Sequence, residues 1–157
     1  MGKSYHYIPA MQQPDPTACW STTMSWWTKA VPAVKNHTEL EIMGMYQHLA
    51  GGDDGLKFPD GFKTMLEDKP WGMVTDRLSG LFMDNDLYNA AFKKGPAVAG
   101  FWDISVGGYH AVALYNPDIK NKEVWVMDPN GATHTNRDMF DFVLGNLSKP
   151  GVIGYRK

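Results

Sequence analysis

A single cysteine, Cys19, carries all the thiol chemistry of this 157-residue chain. An internal disulfide is therefore excluded, and no CxxC pair or Cys/His cluster suggests a zinc site. No Lys/Arg-rich block interrupts a chain of formal net charge −2, whose charges of both signs are spread along its length; nucleic-acid binding has no support in that pattern. No apolar run approaches membrane-spanning length, and Met-Gly-Lys-Ser-Tyr-His-Tyr-Ile at the start lacks the apolar core of a secretory signal. Neither membrane nor acidic partners are indicated. Repeats, low-complexity segments and linkers are missing too, so residues 1–157 read as one domain. A hydrophobic fraction of 43% with six tryptophans sets the chain apart from disordered sequences.

What is present changes character midway. After Pro14 and Pro16, which rule out regular helix, Trp20, Met24, Trp27 and Val31 recur at helical spacing and predict a helix from about Cys19 to Val31-Pro32. Thr38-Glu39-Leu40-Glu41 has the form of a capping box and opens a second helix running to about Gly51. Gly52-Asp53-Asp54-Gly55 reads as a turn, since further oxygen ligands at calcium-loop spacing are missing. Pro59 to Leu66 suits a short helix, Lys69 to Gly80 carries no clear pattern, and Asn85 to Lys94 suits another helix that Gly95-Pro96 stops. Beyond Gly95 the runs Ala97–Ile104, Tyr109–Tyr115 and Glu123–Met127 predict antiparallel strands, the last two joined by a hairpin through Asn116 to Lys122. A helix over about Arg137–Leu147 and a final strand over Val152–Arg156 complete an α+β expectation.

Three places in this frame, besides Cys19, hold residues of chemical interest. His110 opens an apolar strand in Gly107-Gly108-Tyr109-His110-Ala111-Val112, Asp128 ends the next strand before Pro129, and Gln13 lies six positions before Cys19. Each has an ordinary explanation: a satisfied core histidine, a turn-forming aspartate, a loop glutamine, a small buried thiol. Together they supply a nucleophile at a helix N-terminus, a base, a group to orient the base and an oxyanion donor. Period-two geometry sets His110 and Val112 on one face of their strand and Ala111 and Ala113 on the other. Trp26, Trp71 and Trp102 fit either a buried core or an aromatic recognition surface, burial being the default.

Gln13-x5-Cys19-Trp20 opening a helix, Gly-Tyr-His110-Ala-Val in a strand and Asp128-Pro129 ending the next, in that order, resemble the papain-like cysteine peptidases. The likeness is strongest to their compact bacterial branches, such as the C39-like and C70-like groups. The resemblance implies a helical N-terminal half packed on an antiparallel sheet, with Cys19 as nucleophile, His110 as base and then acid, and Asp128 fixing the imidazole. Gln13 and the Cys19 backbone N–H would form the oxyanion hole, whereas the adjacent Gln12 has a spacing one residue too long. Pro16 stands where the secreted papain and cathepsin pattern has a further cysteine, and Asp128 where it has asparagine.

By the same resemblance the expected activity is hydrolysis of peptide bonds in a protein substrate, without metal or cofactor. A bacterial toxin or effector domain, exported by a signal-independent route to act in a target cell and opposed by a cognate inhibitor or immunity protein, is the implied setting. Side-chain deamidation, transglutamination or amidase chemistry is the alternative on the same scaffold. A non-catalytic binding module is the alternative from another class.

Overall fold

A helix can be buried on every side only if its polar side chains find partners inside the protein. The first helix, α1 (Cys19–Ala30), is buried at every residue except Lys29. Its hydroxyls are all engaged: Ser21 Oγ donates to the Ala18 carbonyl, Thr22 Oγ1 to Glu39, Thr23 Oγ1 to the Ala111 carbonyl, Ser25 Oγ to the His37 carbonyl, and Thr28 Oγ1 to the Ser25 carbonyl. α1 starts where Asp15 Oδ1 accepts from the Thr17 N–H at 2.8 Å and the Ala18 N–H closes a turn onto the Asp15 carbonyl. It ends where Val31 turns extended ahead of Pro32.

The computed structural model describes residues 5–15, 17–50, 56–82, 85–144 and 151–157. Thr38 caps α2 (Glu39–Tyr46), its Oγ1 accepting from the Glu41 N–H at 3.2 Å, as the capping box requires. A 3₁₀ turn, Gln47–Leu49, follows it. Further helices are α3 (Asp60–Leu66), a 3₁₀ segment (Leu78–Phe82), α4 (Asn85–Ala91) and the one-turn α5 (Asp141–Leu144). The Gly52–Gly55 turn and Pro16 lie outside the described residues.

Six strands form one antiparallel sheet: β1 (Met73–Arg77), β2 (Ala97–Asp103), β3 (Gly108–Asp118), β4 (Glu123–Asp128), β5 (Thr133–Asp138) and β6 (Val152–Arg156). Their order across the sheet is β1-β6-β2-β3-β4-β5. Helices packed on an antiparallel sheet make the architecture α+β, as the sequence predicts. The alternation along β3 is also as expected. Ala111 packs with Cys19, Trp20, Met24 and Trp27, and Ala113 with Trp26 and Met127, whereas Val112 and Leu114 join Phe101, Val126 and Ile153 in a separate core.

One expectation needs correction, and one stretch without a sequence pattern acquires a structure. The helix over Arg137–Leu147 is replaced up to Asp138 by β5, an edge strand whose register runs from Asp128↔Thr133 to Glu123↔Asp138, and only Asp141–Leu144 is helical within the described residues. Thr-His-Thr-Asn-Arg-Asp has no apolar alternation because no residue of this edge strand is buried on either face. Arg137 lies over the Phe142 ring at 4.9 Å instead of on a helix face. The illegible stretch Lys69–Gly80 holds β1, which pairs with β6 from the far end of the chain. Trp26 and Trp71 are fully buried, which removes them from any recognition surface; Trp102 is half-buried.

Candidate active site

Cys19 is the first residue of α1, at the helix end where unpaired backbone N–H groups concentrate positive potential. Cys19 is only 5% exposed, packed in the core cluster with Trp20 and Ala111. α1 is held against the sheet next to it by the Thr23 hydrogen bond to the Ala111 carbonyl, one residue beyond His110.

His110 is buried near the start of β3, and Asp128 is the last residue of β4. The neighbouring strands bring His110 Nε2 to 2.6 Å from Asp128 Oδ1, which also accepts from the Asn130 N–H at 2.9 Å. With Nε2 committed to the carboxylate, Nδ1 is the nitrogen left for the thiol. Burial by itself disfavours an imidazolium here. Hydrogen bonds to Asp128 and Cys19, and the charges of both, outweigh it and push the His110 pKa up to about 9 from an ordinary 6.5. At neutral pH His110 is therefore a cation between two acceptors.

Gln13 reaches the same corner along the extended segment before α1. Its N–H donates to the Pro129 carbonyl at 2.9 Å, immediately after Asp128. Its Oε1 is buried and accepts no hydrogen bond from a described residue. The structure thus joins His110 and Asp128 by a hydrogen bond, sets Cys19 close enough to raise the His110 pKa, and fastens the Gln13 backbone to the turn that follows Asp128.

Two contributors were not legible as such in the sequence. Asn130 acts through its backbone N–H, which no residue type advertises, although Asp-Pro-Asn-Gly marks a turn and Gly131 has a φ of +99° there. Gln12 has a spacing one residue too long for the oxyanion role, yet its Oε1 accepts from the Gly131 N–H at 3.0 Å and its Nε2 donates to the Gln13 carbonyl at 3.1 Å. Beside His110, Tyr109 stacks on Phe58 with ring centroids 4.6 Å apart and meets Trp102 edge-on at 5.4 Å.

An acceptor-bound imidazolium next to a thiol at a helix N-terminus is an arrangement suited to nucleophilic attack on a carbonyl and protonation of the departing group. No family model matches the chain, and no curated protein matches it. Among solved structures it is similar to the peptidase domain of Streptococcus ComA, described as a bi-functional ABC transporter involved in a quorum-sensing pathway. The sequence identity is 14%, the match covers 96% of this chain and 99% of that one, and the TM-score is 0.63. What the two share at that identity is the fold, and this chain accordingly has the papain-like peptidase architecture of helices packed on an antiparallel sheet.

Proposed function

We propose that this protein is a cysteine peptidase that cleaves peptide bonds in a protein substrate, with Cys19 as nucleophile and His110 and Asp128 completing its triad. The observation that carries the reading is the buried His110, bonded to Asp128 at 2.6 Å with Cys19 beside it, in a fold shared with a peptidase domain. The Cys19 thiolate attacks the scissile carbonyl carbon, forming the C–S bond and moving the carbonyl π electrons onto oxygen. The Gln13 side-chain amide and the Cys19 N–H donate to that oxyanion. The oxyanion collapses, the C–N bond breaks, and the proton on His110 Nδ1 leaves with the amine. Water then attacks the thioester carbonyl, giving one proton to His110; the C–S bond breaks, freeing the Cys19 thiolate and a carboxylic acid whose proton passes to solvent.

The setting we propose is a bacterial toxin or effector domain restrained by a cognate inhibitor. It is supported by the sequence resemblance alone.

The decisive experiment is iodoacetamide alkylation of Cys19 against pH in the wild type and in His110→Ala, followed by mass spectrometry of a treated protein mixture. Fast, histidine-dependent alkylation well below the ordinary thiol range, with new peptide termini in the mixture, is the expected result. A mass gain of about one dalton without cleavage, the mark of amide hydrolysis at a side chain, would replace the peptidase by a deamidase. Slow alkylation in both proteins would favour a binding module.

A further inference from the structure

The Gln13 side chain carries the oxyanion role in the proposed reaction, yet its own Oε1 accepts no hydrogen bond from a described residue. An amide without such a tether is aimed by its backbone. That backbone has two anchors: the Gln13 N–H donates to the Pro129 carbonyl at 2.9 Å, and the Gln13 carbonyl accepts from Gln12 Nε2 at 3.1 Å. The second anchor is itself fixed, because Gln12 Oε1 accepts from the Gly131 N–H at 3.0 Å. One amide thus spans from residue 12 to residue 131, using its acceptor on the turn after Asp128 and its donor on the residue that bears the oxyanion role.

We infer that Gln12 is a positioning residue, a clasp that holds the Gln13 backbone against the Asp128–Gly131 turn and so aims the Gln13 amide at the developing oxyanion. The inference rests on the proposed peptidase reading for its catalytic consequence, but the clasp itself does not. Gln12 is exposed, and its hydrogen bonds go to Gln13 and Gly131 rather than to Cys19, His110 or Asp128. Its effect reaches the chemistry only through Gln13, and it leaves the His110–Asp128 bond alone.

The test compares wild type, Gln12→Ala, Gln13→Ala and the double variant, using a fluorogenic peptide amide selected on the wild type. Gln12→Ala is expected to lower kcat about three- to tenfold, the scale of one hydrogen bond, with KM and the alkaline limb of the pH profile unmoved. In the Gln13→Ala background the same change should cost less than about twofold, because the group it aims is already gone. Equal fold-losses in both backgrounds, or full activity in Gln12→Ala, would overturn the clasp. Amide hydrogen exchange by NMR gives a readout independent of turnover. Gln12→Ala should speed exchange at both Gly131 and Gln13, and acceleration at Gly131 alone would overturn the coupling. A wild type that neither cleaves nor alkylates rapidly would remove the peptidase reading while the exchange result still decides the clasp. Should Gln12→Ala fail to fold, Gln12→Glu replaces it in the kinetic comparisons, and in the exchange comparison it should speed Gln13 and spare Gly131, because it keeps the acceptor for Gly131 and loses the donor to Gln13; unchanged exchange at Gln13 would overturn the clasp.

Discussion

His110 Nε2 and Asp128 Oδ1 are 2.6 Å apart although their residues lie 18 positions apart in the chain, on strands that are neighbours in the sheet. The carboxylate does two things in that position. It selects which imidazole nitrogen remains for Cys19, and it favours the protonated ring against the cost of burying it.

The roles assigned to Cys19 and Gln13 predict unequal losses. Cys19→Ala should abolish turnover, whereas Gln13→Ala should reduce kcat by roughly 10²–10³ and leave it measurable, since one oxyanion donor remains. Steady-state kinetics on purified variants with matched circular dichroism checks this. Equal residual rates in the two would sink the assignment.

The activity profile should follow the His110 proton. With its pKa raised to about 9, kcat/KM is expected to fall on the alkaline side near that value as the general acid is lost. Asp128→Asn removes the charge and alters the hydrogen bond that hold the proton, so its alkaline limb should move down toward the ordinary 6.5. An unshifted limb in Asp128→Asn would assign it to another group.

Folding stability should respond to the same titration. A group whose folded-state pKa lies above its unfolded value binds its proton more tightly when folded. Its contribution is therefore complete below about 6.5 and is lost as pH rises through about 9. Urea denaturation of wild type and His110→Ala should show a stability gap more favourable to the wild type at pH 6 than at pH 10. A gap independent of pH would contradict the raised value.

Gly100 packs under the aromatic rings beside His110. A Cβ there would lie 2.6 Å from Phe62 Cε2 and would also run into Phe58 Cε1, whose ring stacks on Tyr109. Gly100→Ala should cost about 1–3 kcal/mol, read as a lowered Tm, because inner-sheet positions cannot easily shift both rings. A Tm equal to the wild type would show that the pair can slide.

Where signals are local, the sequence was readable. The stop before Pro32, the Thr38 cap and the change of period after Gly95 each depend on a few adjacent residues, and the structure has α1, α2, β2, β3, β4 and β6 where those signals lie. The α+β class follows from them. So does the inventory of chemistry: one thiol, a histidine opening one apolar strand and a carboxylate ending the next.

Tertiary structure decided what depends on pairing across the chain. β1 and β5 exist because β6 and β4 offer them hydrogen-bonding edges, and neither Met-Val-Thr-Asp-Arg nor Thr-His-Thr-Asn-Arg-Asp carries enough apolar alternation to announce a strand alone. The 2.6 Å contact between His110 and Asp128, and the span of Gln12 to Gly131, are likewise set by strand register and a turn. Residue identity determined which groups were available. Only backbone hydrogen bonds between distant segments determined which of them meet, because such bonds are made by the main chain that all residues share.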